Sequence, residues 1–114
     1  MTNANDLFTA NTCADYYYKH LFGGQYTSGV QEFADNTESH WFIDAIFSHQ
    51  SNKVKENPFQ VWKIIRVVDS EFLLECSDGN GEIIVTQHIP YSDFKYDIGT
   101  LWLIDGVLIL PSEY

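Results

Sequence analysis

The sequence is poor in cysteine, proline and basic residues, and these shortages exclude several classes of protein. It has two cysteines, three prolines and six lysines or arginines in 114 residues. Cys13 and Cys76 lie far apart and match no metal-ligand spacing, so we expect reduced thiols rather than a disulfide scaffold or a zinc site. Apolar runs of about 18 residues are absent, as is an apolar signal region near Met1. These absences favour a cytoplasmic protein without a membrane partner.

Acidic residues dominate the charge of the chain. Sixteen acidic residues against six basic ones give a formal net charge of −10 at pH 7. Such a surface repels phosphate backbones, so we expect no direct binding of nucleic acid. It attracts basic proteins, which makes a basic host protein a candidate partner. Solubility alone is the alternative explanation of the charge.

Catalytic and cofactor motifs are missing from the sequence. There is no phosphate loop, no dinucleotide fingerprint, no G-x-S-x-G and no H-E-x-x-H. The segment 78–81 resembles part of a calcium loop but lacks the remaining acidic ligands. Cys76 and His88 end two strands that we expect to pair, which would allow a nucleophilic site, although a buried inert cysteine is favoured. We therefore predict no cofactor, no metal and no catalytic residue, and the missing motifs argue weakly against an enzyme.

What the sequence has in quantity is apolar and aromatic residues, 45% and 16% of the chain. That content and length predict a single domain over residues 1–114. Its most apolar helical stretch is 40–50, which is apolar over most of its circumference and so predicts one central buried helix. Trp41, Phe42 and Phe47 are its large side chains, and we expect all three to be buried.

One stripe of this helix is polar. His40, Asp44 and Ser48 follow an i, i+4, i+8 spacing, so their side chains stack along one face. A His40–Asp44 pair could serve as a base or as one side of a metal site. The favoured alternative is that the stripe simply contacts water.

Local signals divide the chain into a helical half, 11–52, and a sheet half, 59–110. Residues 1–10 are predicted to be a loosely ordered lead-in. Thr12 and Asp15 form an approximate capping box, which predicts a helix that runs to Phe22 and ends at Gly23-Gly24. A second short helix is expected from about Tyr26 onwards, with Val30, Phe33 and Ala34 on one face.

From Phe59 the apolar period changes to two, which indicates strands. Five strands are predicted, at Phe59–Val68, Glu71–Cys76, Glu82–Ile89, Thr100–Ile104 and Val107–Leu110. The last hairpin is apolar on both faces, so helices should cover one face and the tail, a loop or another subunit the other. The expected fold class is α+β, with two to three N-terminal helices packed on one face of a roughly five-stranded antiparallel sheet.

Seven segments together resemble a small uncharacterised bacterial family, catalogued as domain of unknown function 6876, whose members occur on phage, plasmid and chromosomal segments. The segments are residues 16–20, 26–30, 41–46, 59–63, 78–81, 91–94 and 106–114. The resemblance implies a shared fold and a bacterial or mobile-element setting, and it brings no established activity. It singles out a set of residues that could form a site or a buried hydrogen-bond network: Tyr18, His20, Tyr26, Trp41, Asp44, Asp93, Glu113 and Tyr114.

Two functions of different classes follow from these observations. The leading hypothesis is a non-enzymatic protein–protein interaction module, such as an anti-defence or nucleic-acid-mimic inhibitor, with Tyr16, Tyr17 and Tyr114 as interface candidates. The alternative is a small enzyme or ligand-binding domain. Its candidate polar site comprises His20, Tyr26, His40, Asp44 and Asp93. A homodimer formed through the C-terminal hairpin or an edge strand is a further possibility.

Overall fold

The structure is a computed structural model that describes residues 2–8 and 16–114, without the side chains at positions 7, 8, 52 and 53. Its main feature is a seven-stranded sheet in the order β1-β2-β7-β6-β3-β4-β5. The strands are β1 Tyr17–Lys19, β2 Gln25–Thr27, β3 Phe59–Val68, β4 Glu71–Ser77, β5 Ile83–Ile89, β6 Ile98–Ile104 and β7 Val107–Ile109. Strands β2 and β7 pair in parallel, and the other neighbours pair antiparallel.

The helices are short and lie between β2 and β3. Helix α1 spans Ser28–Thr37, α2 spans His40–Ser48, and α3 is a single turn at Asn52–Lys55. Two 3-10 turns lie at Ala4–Phe8 and Pro111–Glu113. None of the helices in the described ranges is long and apolar enough to cross a membrane.

The predicted fold class is wrong, because the sheet has seven strands and is mixed rather than five-stranded and antiparallel. The helical half at 11–52 contains two strands, β1 and β2. Residues 16–22 of the predicted first helix are a strand and a turn, and residues 11–15 lie outside the described ranges. Aromatic residues such as Tyr17 favour strands. Gly23 and Gly24 (φ of +93° and +78°) form the hairpin turn instead of ending a helix.

The five predicted strands are present as β3 to β7, with an alternating apolar pattern in β4 and continuous apolar runs in β6 and β7. Phe72, Leu74 and Cys76 of β4 are buried on the inner face, as predicted. The inner face of the sheet is covered by α1 and α2, so this face and the two helices form the core.

Helix α2 buries four side chains, Phe42, Ile43, Ile46 and Phe47. Trp41 was expected among them but is only partly buried, since it lies at the margin of the core, with its ring 6.0 Å from that of Phe42. The largest fully buried side chain is instead Trp62, from the middle of β3. The central helix is therefore confirmed, but Trp41, one of its three large side chains, is less buried than predicted.

The C-terminal tail covers part of the outer face of the sheet. The ring of Tyr114 lies 5.5 Å from Trp102 and 6.4 Å from Phe59, and these last two rings lie 5.3 Å apart. The tail, a loop or another subunit was predicted to cover this face of the last hairpin, and these contacts identify the tail.

Glu113 fastens the same tail to the start of α1. Its Oε1 accepts from the Thr27 hydroxyl at 2.7 Å and from the Leu110 N–H at 2.8 Å. The Thr27 hydroxyl in turn accepts from the Val30 N–H, which caps the helix. A carboxylate at a helix N-terminus is also favoured by the helix dipole. The ending that carries the family resemblance therefore has a structural role.

The N-terminal segment is attached to the sheet as far as it is described. The Asn5 side chain donates to the Thr100 carbonyl at 2.8 Å and accepts from the Thr100 N–H at 2.6 Å, as a neighbouring strand would. The Thr2 N–H donates to Asp97 at 2.7 Å, and Ala4 is fully buried. Residues 2–5 therefore contact the sheet at Asp97 and Thr100, and the predicted lead-in over residues 1–10 is only partly within the described ranges.

Candidate functional site

The turn between β1 and β2 is tight and has a fixed conformation. The His20 N–H donates to the Gly24 carbonyl at 3.1 Å, and the Gly23 N–H donates to the His20 carbonyl at 3.0 Å. A Cβ atom at Gly24 would lie 2.6 Å from the Phe47 ring, so no other residue fits there without movement. The hairpin tip is therefore held against helix α2.

The imidazole of His20 packs between this tip and helix α2. It stacks on Phe47 with ring centroids 4.6 Å apart, meets the Phe22 ring edge-on at 5.1 Å, and leaves 7% of its side chain exposed. Its Nδ1 accepts from the Phe22 N–H at 3.1 Å, and its Nε2 lies 2.7 Å from Asp44 Oδ1. Because Nδ1 is an acceptor, Nε2 carries the proton and donates a hydrogen bond to Asp44.

Tyr26 completes this cluster from strand β2, which lies between β1 and β7. Its ring stacks on that of Tyr18 at 5.4 Å and meets His20 edge-on at 6.5 Å. Burial raises the pKa of Tyr26, and the negative charge of Asp44 raises it further. Its phenol therefore stays protonated at neutral pH, which is unsuited to a base or a nucleophile.

The other two residues of the predicted polar site lie elsewhere. His40 contacts Asp35 at 2.6 Å instead of Asp44, so the His40–Asp44 pair that the spacing allowed is not formed. Asp93 accepts from the Tyr91 hydroxyl at 2.7 Å in the loop that follows β5, where the Ser92 N–H donates to the carbonyl of residue 70. That loop lies at the far end of β3 from the hairpin turn. Only three of the five predicted residues come together.

The nucleophile that the sequence allowed is also excluded by geometry. Cys76 is opposite Val85 in the β4–β5 ladder, whereas His88 is opposite Leu73. Burial, and to a lesser degree the charge of Asp78, raises the pKa of the Cys76 thiol to about 12. Among the described residues there is no cluster of three potential metal ligands.

The most unusual surface of the molecule is the hairpin tip itself. Leu21 is 99% exposed and Phe22 is 66% exposed, on a turn whose backbone is fixed by His20. Tyr16 and Tyr17, predicted as interface residues, are exposed at the start of the edge strand β1, which Tyr17 begins. Sequence reasoning placed Leu21 and Phe22 inside a helix. The signal available for their position was the Gly-Gly pair, which follows them directly and suits a turn as well as a helix end.

A cavity of about 510 Å³ lies beside the tip. Its walls include the side chains of Phe22, Phe47 and Leu103, with Gln60 at the buried end. Its lining comes from the hairpin turn, the end of α2, the segment 55–58, β3, β6 and the turn at 105–106. No local motif joins these segments, so this cavity could not be predicted from the sequence.

The comparisons with known proteins identify a family but no activity. A family model described as "Family of unknown function (DUF6876)" matches residues 2–114. The match confirms the family resemblance, whereas the bacterial and mobile-element setting stays a prediction. No curated protein and no solved structure matches the chain.

Proposed function

Because the chain belongs to this family of unknown function, its role has to be inferred from its own surface, and we propose a non-enzymatic binding module that docks a basic protein through the tip of the first hairpin. The observation that carries the proposal is the exposure of Leu21 and Phe22 on a fixed turn. Contiguous apolar side chains that a rigid backbone presents to water are typical of interaction surfaces. The tip is also ordered before binding, so little conformational freedom is lost on docking.

The charge of the chain favours a basic partner. A net charge of −10 produces a negative field that accelerates encounter with positively charged proteins and repels acidic ones. An apolar tip within an acidic surface would combine short-range affinity with long-range steering. We therefore expect binding that weakens as salt is added.

The cluster behind the tip supports binding rather than catalysis. His20 uses both ring nitrogens in hydrogen bonds, and its ring is stacked under the turn. The raised pKa of Tyr26 keeps its phenol neutral. These groups act as a scaffold for the tip, since both rings pack behind it.

The test compares two double variants of the full chain. Leu21→Ser with Phe22→Ser removes the apolar tip. Val68→Ser with Tyr91→Ser is the matched control, because it removes one aliphatic and one aromatic side chain that are 53% and 68% exposed at the other end of β3. Both should leave the free energy of unfolding within about 1 kcal/mol of the parent, since exposed side chains contribute little to stability. Immobilised proteins are incubated with bacterial lysate, and retained proteins are identified by mass spectrometry.

A basic protein that the parent and the control retain, that the tip variant loses and that salt releases would support the proposal. Equal retention by both variants, or no retained protein above background, would overturn it. Sedimentation of the purified parent is measured beside the capture. A dimer that only the tip variant abolishes would instead assign the tip to a second copy of the chain.

A further inference from the structure

The cavity beside the first hairpin has no assigned ligand, and we infer that it receives an arginine side chain of the basic partner. This inference rests on the proposed function and names the chemistry that its site recognises. The volume of about 510 Å³ lies within the range of protein ligand pockets, roughly 300–1,000 Å³. A long side chain therefore fits, and its own backbone would remain beside the exposed tip.

The walls suit a flat cation on an apolar stem. Two aromatic residues, Phe22 and Phe47, and one aliphatic residue, Leu103, are part of the lining. A guanidinium group stacks on aromatic faces, where the ring quadrupole attracts its charge. The methylene groups of the same side chain would pack against the aliphatic wall.

The buried end of the cavity offers no further polar recognition. Gln60 Oε1 accepts from Gln50 Nε2 and from the Trp62 indole, both at 2.9 Å. Its Nε2 donates to Gln50 Oε1 and to the carbonyls of Val54 and Asn57. Because this amide is fully used, polar selection has to come from groups nearer the opening.

Those groups at the opening favour a cation. Asp105 and Glu56 contribute two carboxylates to the lining, and Lys55 contributes one ammonium. In the described ranges, neither carboxylate takes part in an ion pair. A guanidinium can bind a carboxylate through two parallel hydrogen bonds, which a lysine ammonium cannot do. The excess of acidic over basic residues therefore favours a cation, and the bidentate geometry favours arginine over lysine.

The experiment titrates acetyl-arginine N-methylamide into the ¹⁵N-labelled full chain and follows the backbone amides of Gly24 and Gly106. The neutral isostere acetyl-citrulline N-methylamide is titrated in parallel. Asp105→Asn removes one carboxylate, and Asp69→Asn is its matched control. Both aspartates lie in exposed turns with φ of +50°, a conformation that asparagine tolerates, and both changes remove one negative charge.

We expect saturable shifts at both glycines with the arginine probe and none with citrulline. Asp105→Asn should weaken the binding about two- to fivefold, as for a partly exposed ion pair, and Asp69→Asn should not. Absence of saturable shifts, equal binding of citrulline, or equal weakening by both variants would overturn the inference. If the arginine probe fails while the tip variant still loses its captured protein, the cavity assignment falls and the proposed function stands.

Discussion

Replacing His20 by alanine should destabilise the protein by about 2–3 kcal/mol and release the hairpin tip. Stacking of its ring on Phe47 contributes about 1 kcal/mol. Loss of the hydrogen bond from the Phe22 N–H contributes about 1 kcal/mol more. The bond to Asp44 adds less than about 1 kcal/mol, because that carboxylate is exposed to water.

His40 provides a matched control for this prediction. It also lies within hydrogen-bonding distance of an aspartate, Asp35 at 2.6 Å, but its side chain is 51% exposed against 7% for His20. The chemistry of the two pairs is the same and the burial differs. We therefore expect His40→Ala to change stability by less than about 0.5 kcal/mol.

The assay is urea denaturation followed by tryptophan fluorescence, with hydrogen exchange of the Phe22 amide measured on the same samples. His20→Ala should lower the midpoint and expose this amide to exchange, whereas His40→Ala should do neither. Asp44→Ala should fall close to the control, because it removes the hydrogen bond from Nε2 and leaves the ring in place. Equal small effects of His20→Ala and His40→Ala would refute the structural role of His20.

Three further predictions concern other parts of the molecule. Gly99→Ala should destabilise the protein by about 1–3 kcal/mol in thermal unfolding, since the new Cβ would lie 3.0 Å from two buried phenylalanine rings; an unchanged midpoint would mean that these rings can move aside. In a Cys13→Ser background, Cys76 should resist iodoacetamide at pH 8 until the protein is unfolded, because its thiol is buried and its pKa is raised to about 12; rapid native labelling would contradict this. Hydrogen bonds from Thr2, together with the charge of Arg66, lower the pKa of Asp97. The stabilising contact between Asp97 and Thr2 is therefore complete above about pH 4, and it is lost as the pH falls through the lowered pKa. Exchange of the Thr2 amide should therefore show extra acceleration in acid, which Asp97→Asn abolishes, and an identical profile in the two proteins would refute the contact.

The sheet half could be predicted because its signal is local. Alternation of apolar residues along β3 and β4 is visible in the sequence, and a long alternating run is typical of a strand. Strands β1 and β2 could not be predicted in the same way, because each has three residues and is formed by pairing with distant segments. The Gly-Gly pair at 23–24 is compatible with a helix end and with a hairpin, and only the tertiary pairing decides between them.

The candidate site also depends on contacts between distant segments, which local sequence signals do not predict. The i+4 spacing allowed His40 as a partner of Asp44, whereas the folded chain brings His20 to Asp44 across 24 residues. The family resemblance had grouped His20, Tyr26 and Asp44, and these three do meet. It had also included Asp93, which lies at the other end of β3, so a shared pattern did not imply one site. The cavity combines residues of separate segments and has no local signature.

The central claim is that a buried His20 fixes an exposed apolar turn. It is tested most directly by ¹⁵N NMR of the imidazole nitrogens together with exchange of the Phe22 amide. The structure predicts a neutral ring with the proton on Nε2, a bare Nδ1 and a protected Phe22 amide. A ring protonated on Nδ1, with a Phe22 amide that exchanges as fast as in an unfolded chain, would contradict it.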